Sequence, residues 1–301
     1  MCPAYDALRQ PDHLYDTEHS YLFYDYPSPD AMPELPEVEI TRRGIAPHIT
    51  GREIERIIVR NPRLRWPVPV RLASKVTGRK VERVGRRAKY LLLDTGNGSI
   101  IIHLGMSGSL RILNQNVPPN HHDHVDIVFN DGSLLRYHDP RRFGCILWAR
   151  HPLRHKLLRN LGPEPLHDEF DGAYLYRISR TRSGPVKQLL MNSGVVSGIG
   201  NIYANEALFL AGIHPLRRAN RISAERYQYL AGNVKRVLCR AITAGGTTLR
   251  DFQKADGNPG YFGLSLQVYG KEGEPCPRCS GAIKRRTTQQ RSTYYCAHCQ
   301  R

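Results

Sequence analysis

Nothing in the 301 residues is apolar for long enough to cross a bilayer, which takes about 20 consecutive residues. The first residues also lack the basic, then apolar, pattern of a secretory leader, so a cytoplasmic location is expected. Carboxylates are scarce: 27 Asp and Glu stand against 44 Lys and Arg, a formal net charge of +17. The cations are spread through folded-looking segments instead of massed in a tail. That makes a polyanion the expected partner, nucleic acid ahead of a membrane surface. Cysteine is sparse too, at seven residues. Four of these form two C-x-x-C pairs near the C-terminus, and in a reducing compartment that pattern points to metal, not to disulfides. Cys2, Cys145 and Cys239 are left over as unpaired thiols, the latter two expected to be buried. No internal repeat or low-complexity tract is present.

At this length, with 40% hydrophobic residues, the chain can bury two ordinary cores and carry a small module besides. Residues 1–31 are compositionally foreign to the rest. Asp6, Asp12, Asp16, Glu18, Asp25 and Asp30 oppose only Arg9, a net −5 that leaves +22 for the remainder. This segment reads as a disordered extension or a misassigned start. From Pro36, with Glu37 and Glu39 in a first turn and Val38, Ile45 and Ile49 at helical intervals, a helix is expected. Strand-like runs follow at Ile54–Arg60, Tyr90–Asp94, Ser99–Leu104 and Ser109–Leu113, and a hairpin reads from His124–Phe129 to Leu134–Tyr137.

The predicted class is α+β, in several domains. Residues 33–160 form a β-sandwich with flanking helices, and 165–246 form a helical domain. Residues 247–270 read as a long Gly-rich connecting loop of the kind that often serves as a lid, and 271–301 as a zinc-finger β-hairpin. In the helical part Tyr227, Leu230, Val234, Val237, Leu238 and Ala241 share a face, Ser223 caps it and Gly245-Gly246 stops it.

Cys276-x-x-Cys279, sixteen residues, then Cys296-x-x-Cys299 is the spacing of a four-thiolate zinc site. Four protein ligands leave no open coordination position, so one structural Zn2+ is predicted. Between the pairs, Lys284, Arg285, Arg286 and Arg291 surround a hairpin tip suited to phosphates. Pro33-Glu34 has a second possibility. A proline with a free secondary amine can attack a sugar's anomeric carbon and form an imine, with the adjacent carboxyl shuttling protons. On residue chemistry alone the same dipeptide also reads as a helix-entry turn. Gly198-Ile199-Gly200-Asn201 precedes an apolar helix, whose N-terminal amides make an anion site. The cluster His121, His122, Asp123, His124 and Asp126 suggests a metal, but residues alternate faces along a strand and do not converge easily.

PELPEVE at 33–39, RRAKYLLL at 86–93, IIIHLGMSGSL at 100–110, DPRRFG at 139–144, GIGNIYANEALF at 198–209, PGYFG at 259–263 and the cysteine module occur in the order and spacing of a known family. The chain from Met32 to Arg301 resembles formamidopyrimidine-DNA glycosylase. The resemblance implies Pro33 as nucleophile and Glu34 as the acid assisting ring opening. It implies Lys89 near the scissile phosphate and Arg291 as the zinc-finger arginine that grips phosphate. It also implies that Met106, Arg141 and Phe143 fill the gap left by an everted base, although Met106 and Phe143 alone would read as core residues. His103, His122, Arg182 and Asn201 are implied as further DNA contacts. The implied partner is damaged double-stranded DNA bound by a monomer, with no redox or nucleotide cofactor. The implied activity is removal of oxidised purines followed by strand cleavage.

The chain departs from that pattern at one point: Pro33 follows Met32, so its nitrogen is an amide without an available lone pair. A start at Met32, with the methionine removed, is expected. Two other readings stay open: an endonuclease VIII-type enzyme acting on oxidised pyrimidines, and, if Pro33 stays capped, a non-catalytic zinc-ribbon nucleic-acid binder.

Overall fold

The computed structural model describes residues 33–245 and 266–301. Residues 1–31, Met32 and most of the predicted 247–270 loop, including Gly257–Gly263, lie outside the described residues.

Helix α1 (Leu35–Ile49) opens the fold. Its start is closed by Glu37, whose Oε2 accepts the Glu34 N–H at 2.9 Å, half of a capping box. Val38, Ile45 and Ile49 are fully buried, as their spacing predicts. The strands that follow build two antiparallel sheets. One has the order β1 (Ile54–Val59), β6 (Asp123–Phe129), β7 (Ser133–His138), β5 (Ser109–Asn114). The other runs β2 (Arg83–Arg87), β3 (Tyr90–Asp94), β4 (Ser99–His103), β8 (Cys145–Ala149). Strand alternation explains the packing. Leu91, Leu93, Ile100 and Ile102 point into the core shared with Val125, Ile127, Phe129 and α1, while Ile101 joins Cys145, Leu147 and Leu158 on the opposite face. The short helix α2 (Leu72–Val76) buries Leu72 and Val76 against the same core. The sequence reading misses β2 and β8. β2 is the Arg-rich run Arg83-Val-Gly-Arg-Arg87, whose arginines serve ion pairs while Val84 alone joins the apolar core.

The second body is helical: α3 (Gly172–Ser179), α4 (Val186–Met191), α5 (Asn201–Leu210) and α6 (Ala224–Thr243). α6 follows its pattern closely. Ser223 Oγ accepts the Arg226 N–H at 3.3 Å, and Tyr227, Leu230, Val234, Val237, Leu238 and Ala241 are buried. Gly245 takes φ +84° just past its end. α5 is buried on every side and runs through the centre of this core. Cys145 is buried as expected, whereas Cys239 is half-buried, because it flanks the apolar stripe of α6 instead of lying in it.

The C-terminal module is the hairpin β9 (Lys284–Thr288) and β10 (Arg291–Tyr295), with Gln289 and Gln290 at φ +49° and +59° forming its tip. Its core is small and shared with the helical body: Cys276, Ile283 and Cys296 pack with Val268 and with Phe209 of α5. Two buried side chains of the helical body hold it. Lys187 Nζ donates to Ser292 O and Thr293 Oγ1, both at 2.8 Å, and Asn205 Oδ1 accepts the Tyr294 N–H at 2.9 Å. Lys187 is buried although it carries a charge, because Ser292 O and Thr293 Oγ1 take up its ammonium. No helix among the described residues is long and apolar enough to cross a membrane.

Candidate catalytic centre and nucleic-acid interface

Three segments distant in sequence meet at Gly200. Pro33 and Glu34 are buried at the mouth of α1, and the Glu34 carboxylate spans the start of α5. Its Oε2 accepts the Gly200 N–H at 2.7 Å and its Oε1 the Ile202 N–H at 2.9 Å. The anion site predicted at this helix N-terminus therefore exists, and the protein's own carboxylate fills it. Lys89 arrives from the other sheet. A Cβ placed on Gly200 would lie 2.4 Å from the Glu34 carboxyl carbon and 2.7 Å from Lys89 Nζ. Only glycine lets acid and ammonium close over this backbone.

Electrostatics separates the two groups. Burial raises the Glu34 pKa to about 7 despite the opposing pull of Lys89 and the two amides, with the Glu37 charge adding to the rise. Burial lowers the Lys89 pKa, and Arg291 lowers it further, while Glu34 and Glu37 resist. The charge of the hairpin arginine is thus felt at Lys89. Glu37 is itself fixed by Tyr203, whose hydroxyl donates to its Oε1 at 2.6 Å.

The turn before Lys89 is braced from the helical side. Ala88 sits at φ +54°, a region a non-glycine residue seldom occupies, and its N–H donates to Glu164 Oε1 at 2.6 Å. The same carboxylate takes Arg87 Nη1 at 2.8 Å and pairs with Arg86 Nη1 at 2.8 Å. Arg87 also donates to Ser197 Oγ at 2.8 Å, just ahead of the Gly198–Asn201 loop. One carboxylate in the connection between the two bodies therefore ties together the loops that carry Lys89 and Gly200.

A second concavity is lined by Arg65, His103, Met106, Arg141 and Phe143 among others, so four of the sequence candidates do come together. Met106 is half-buried and Arg141 and Phe143 are exposed, against the core reading of Met106 and Phe143. Arg141 lies over the Phe143 ring at 5.1 Å. Buried Asp139 shapes the loop, accepting from Ser107 Oγ at 2.7 Å and from the Gly144 N–H at 2.9 Å. His103 is held neutral: burial, then Lys89 and Arg65, push its pKa down to about 4. Its Nδ1 accepts the Gly105 N–H at 2.9 Å, which leaves the proton on Nε2 as an uncharged donor.

The remaining candidates are dispersed. His122 is partly exposed near His121, with 4.7 Å between ring centroids. The histidine cluster forms no metal-binding group among the described residues, because His124 turns inward to Asp139 O at 2.8 Å and His138 pairs with Asp123 at 2.7 Å. Arg182 is exposed in the turn after α3. Asn201 opens α5 and is buried, with Nδ2 unpartnered among the described residues.

The sequence reading misses Arg65, Glu37, Glu164, Asn205 and Glu206. Glu206 Oε1 accepts the Val268 and Tyr269 N–H groups and its Oε2 that of Gln267, each at 2.9 Å. A charged residue inside the mostly apolar helix Asn201–Leu210 is the available signal, since such groups are seldom fully buried unless they have partners.

The four sulfurs of Cys276, Cys279, Cys296 and Cys299 lie within 4.8 Å of one another. The Cys276–Cys299 and Cys279–Cys296 separations are 3.9 and 3.5 Å. A tetrahedron with bonds of about 2.3 Å has edges of roughly 3.8 Å, so the cage fits a closed, structural metal site. Amides of Arg278 and Cys299 point at Cys276 and Cys296 sulfurs at 3.4 Å, as thiolate charge requires.

Comparison with known proteins covers nearly all of this architecture. Residues 32–146 match the formamidopyrimidine-DNA glycosylase N-terminal domain, 161–253 the H2TH domain of the same family, and 273–301 a zinc finger found in FPG and IleRS. A formamidopyrimidine-DNA glycosylase of Stenotrophomonas maltophilia is 58% identical over 270 residues, covering 90% of this chain and 100% of the relative. One from Methylococcus capsulatus is 58% identical over 271 residues with the same coverage. Among solved structures, the MutM (FPG) protein of Thermus thermophilus superposes with a TM-score of 0.80 at 37% identity, over 89% of this chain and 98% of that one. Lactococcus lactis Fpg in complex with DNA containing an abasic site gives 0.82 at 33% identity, over 89% and 99%.

Proposed function

Because the chain belongs to the formamidopyrimidine-DNA glycosylase family, we propose that it removes 8-oxoguanine and formamidopyrimidines from duplex DNA and then cleaves the strand by β,δ-elimination. It is a DNA-binding repair glycosylase with a structural metal; the lesion class and the lyase chemistry are our reading. The observation that carries it is the meeting of Glu34 and Lys89 over Gly200 beside Pro33.

In this reading residues 33–160 carry the nucleophile, while 165–246 and 271–301 grip the duplex, acting as a monomer in the cytoplasm. The damaged purine is everted, and Met106, Arg141 and Phe143 occupy the vacated stack, with Arg141 facing the orphaned cytosine. The Pro33 nitrogen attacks C1′, the C1′–N9 bond breaks and the base leaves with a proton. Glu34, near half-protonated at neutral pH, gives its proton to the ring oxygen as the sugar opens. The iminium withdraws electrons from C1′, so a 2′ proton is lost and the 3′ phosphate departs. A second elimination releases the 5′ phosphate. Lys89 and Arg291 stabilise the phosphates, and His103, His122, Arg182 and Asn201 position the backbone. Zn2+ is the metal we assign to the Cys276, Cys279, Cys296 and Cys299 cage.

The substrate assignment is tested by single-turnover release from matched duplexes. 8-Oxoguanine should leave at least tenfold faster than thymine glycol; the reverse order would make this an oxidised-pyrimidine enzyme.

A pH dependence follows from Glu34. Its folded-state pKa is raised, so the proton donor is present below about 7 and lost above it. The rate of imine formation should therefore fall as pH rises through neutrality. Glu34→Gln should lower the rate and remove that limb, which single-turnover rates between pH 5.5 and 9 would reveal. A variant keeping the same limb would assign the proton elsewhere.

A further inference from the structure

One large concavity among the described residues lies outside the catalytic centre. It is an open groove of about 1890 Å3 lined by α1, β2, the β3–β4 turn and the end of β8. Small-molecule sites run to roughly 300–1,000 Å3, so this groove suits a polymer.

Its location follows from the strand register. Along β4 and β8, His103 pairs with Cys145 at the end facing Met106 and Phe143, while Ser99 pairs with Ala149 at the groove end. Four residues of strand separate the two ends by about 13 Å. Likewise α1 enters the catalytic centre at Glu34 but lines the groove with its outer, later turns as far as Thr50. A helix of that length spans about 22 Å. The rim of the groove therefore lies apart from the catalytic centre, while its inner wall shares Arg86, Arg87 and Glu164 with the brace of the Lys89 turn.

The charges are unevenly satisfied. Burial opposes the Glu39 charge, yet Arg42, Arg43 and Arg86 hold its pKa down at about 2. Glu164 pairs with Arg86 and Arg87, and Asp94 lies 4.0 Å from Arg83. Every carboxylate of the groove is thus engaged. Lys75, Arg150 and Arg154 are exposed on its rim and form no ion pair with the described residues. The floor between them includes Leu92 and Trp148, with Lys75 standing 5.3 Å from the Trp148 ring.

We infer that this groove binds the phosphodiester backbone of a second DNA segment while the catalytic cleft holds the first. Two polyanions could meet such a rim. An extended acidic peptide presents at most one charge per roughly 3.5 Å, whereas duplex DNA presents one per about 1.7 Å and gains from counterion release at each neutralised phosphate. Exposed cations along an open rim favour the denser charge. Bridging two segments lets the protein pass between distant stretches of DNA without dissociating, which shortens the search for rare lesions.

The test blocks the cleft first. Protein covalently reduced onto a lesion duplex is purified and titrated with a labelled undamaged duplex, followed by anisotropy at several salt concentrations. The wild-type adduct should bind the second duplex. The triple variant Lys75→Glu, Arg150→Glu, Arg154→Glu should bind it at least tenfold more weakly, with a log–log salt slope shallower by about 3. Its trapping rate on the first duplex and its melting temperature should not change. Arg150→Ala with Arg154→Ala gives a milder version that guards against misfolding. Should trapping itself fail, the cleft is saturated instead with a duplex carrying a reduced abasic analogue, so the groove is judged independently of the imine. A blocked wild-type protein that takes no second duplex, or equal binding by the variants, overturns the inference. Binding of polyglutamate but not duplex overturns it in favour of an acidic protein partner.

Discussion

A polypeptide that begins at Pro33 will form a borohydride-reducible adduct with duplex DNA containing 8-oxoguanine, and the same polypeptide with Met32 still attached will form none. The difference should exceed about 10³-fold, because the two nitrogens are different functional groups. In the amide the lone pair is delocalised into the carbonyl and the bond keeps partial double-bond character, so no iminium can form. In the free secondary amine the lone pair is localised, and the iminium it generates is the electron sink for every later step. Electrophoresis of borohydride-quenched reactions, with both N-termini verified by mass spectrometry, measures this directly. An adduct from the Met32-bearing form, or none from the Pro33 form, would remove the imine from the mechanism.

Stripping the metal should abolish strand cleavage while leaving most of the fold intact. The module itself contributes three buried core residues, two of them ligands, too few to offset the entropy of ordering roughly 30 residues. Metal binding in comparable zinc modules supplies about 10–16 kcal/mol of folding free energy. The two larger bodies have separate hydrophobic cores of their own. Chelation, or Cys296→Ser, is therefore expected to lower cleavage at a preformed abasic site by about 10²- to 10³-fold. Arg291 would lose its fixed position, and with it the charge that acts on Lys89. Far-UV circular dichroism should retain its helical signal. Arg291→Ala, which spares the cage, should reproduce part of the loss. Metal-free protein, verified by elemental analysis, that cleaves at the native rate would refute the dependence.

Much of the architecture is legible from periodicity. The α1 face, the β3 and β4 alternation and the α6 stripe follow residue by residue, because each is a local pattern with one apolar side. The cysteine cage is equally plain, since four soft ligands at fixed spacing have few other uses. β2 is missed because its arginines are chosen for partners, not for a face. Glu164 and Lys187 look like ordinary surface charges, and each becomes informative only when its partner appears: Ala88 N–H 76 residues away, and Ser292 O 105 residues away. Met106 and Phe143 have the opposite history. Apolar residues usually mean core, but here the Asp139-clamped loop turns Phe143 out to solvent at 45% exposure.

What the sequence by itself determined is everything set by neighbours along the chain: two bodies and a metal module, their helices and most of their strands, and a basic surface for DNA. Tertiary structure alone decided that Glu34 fills the N-terminus of a helix 166 residues away and carries a pKa near 7. It also decided that Lys89 faces Glu34 and Arg291. The physical reason is that hydrophobic periodicity is read within a few residues, whereas desolvation and Coulomb interaction depend on distance in space, which exists only once the segments have met.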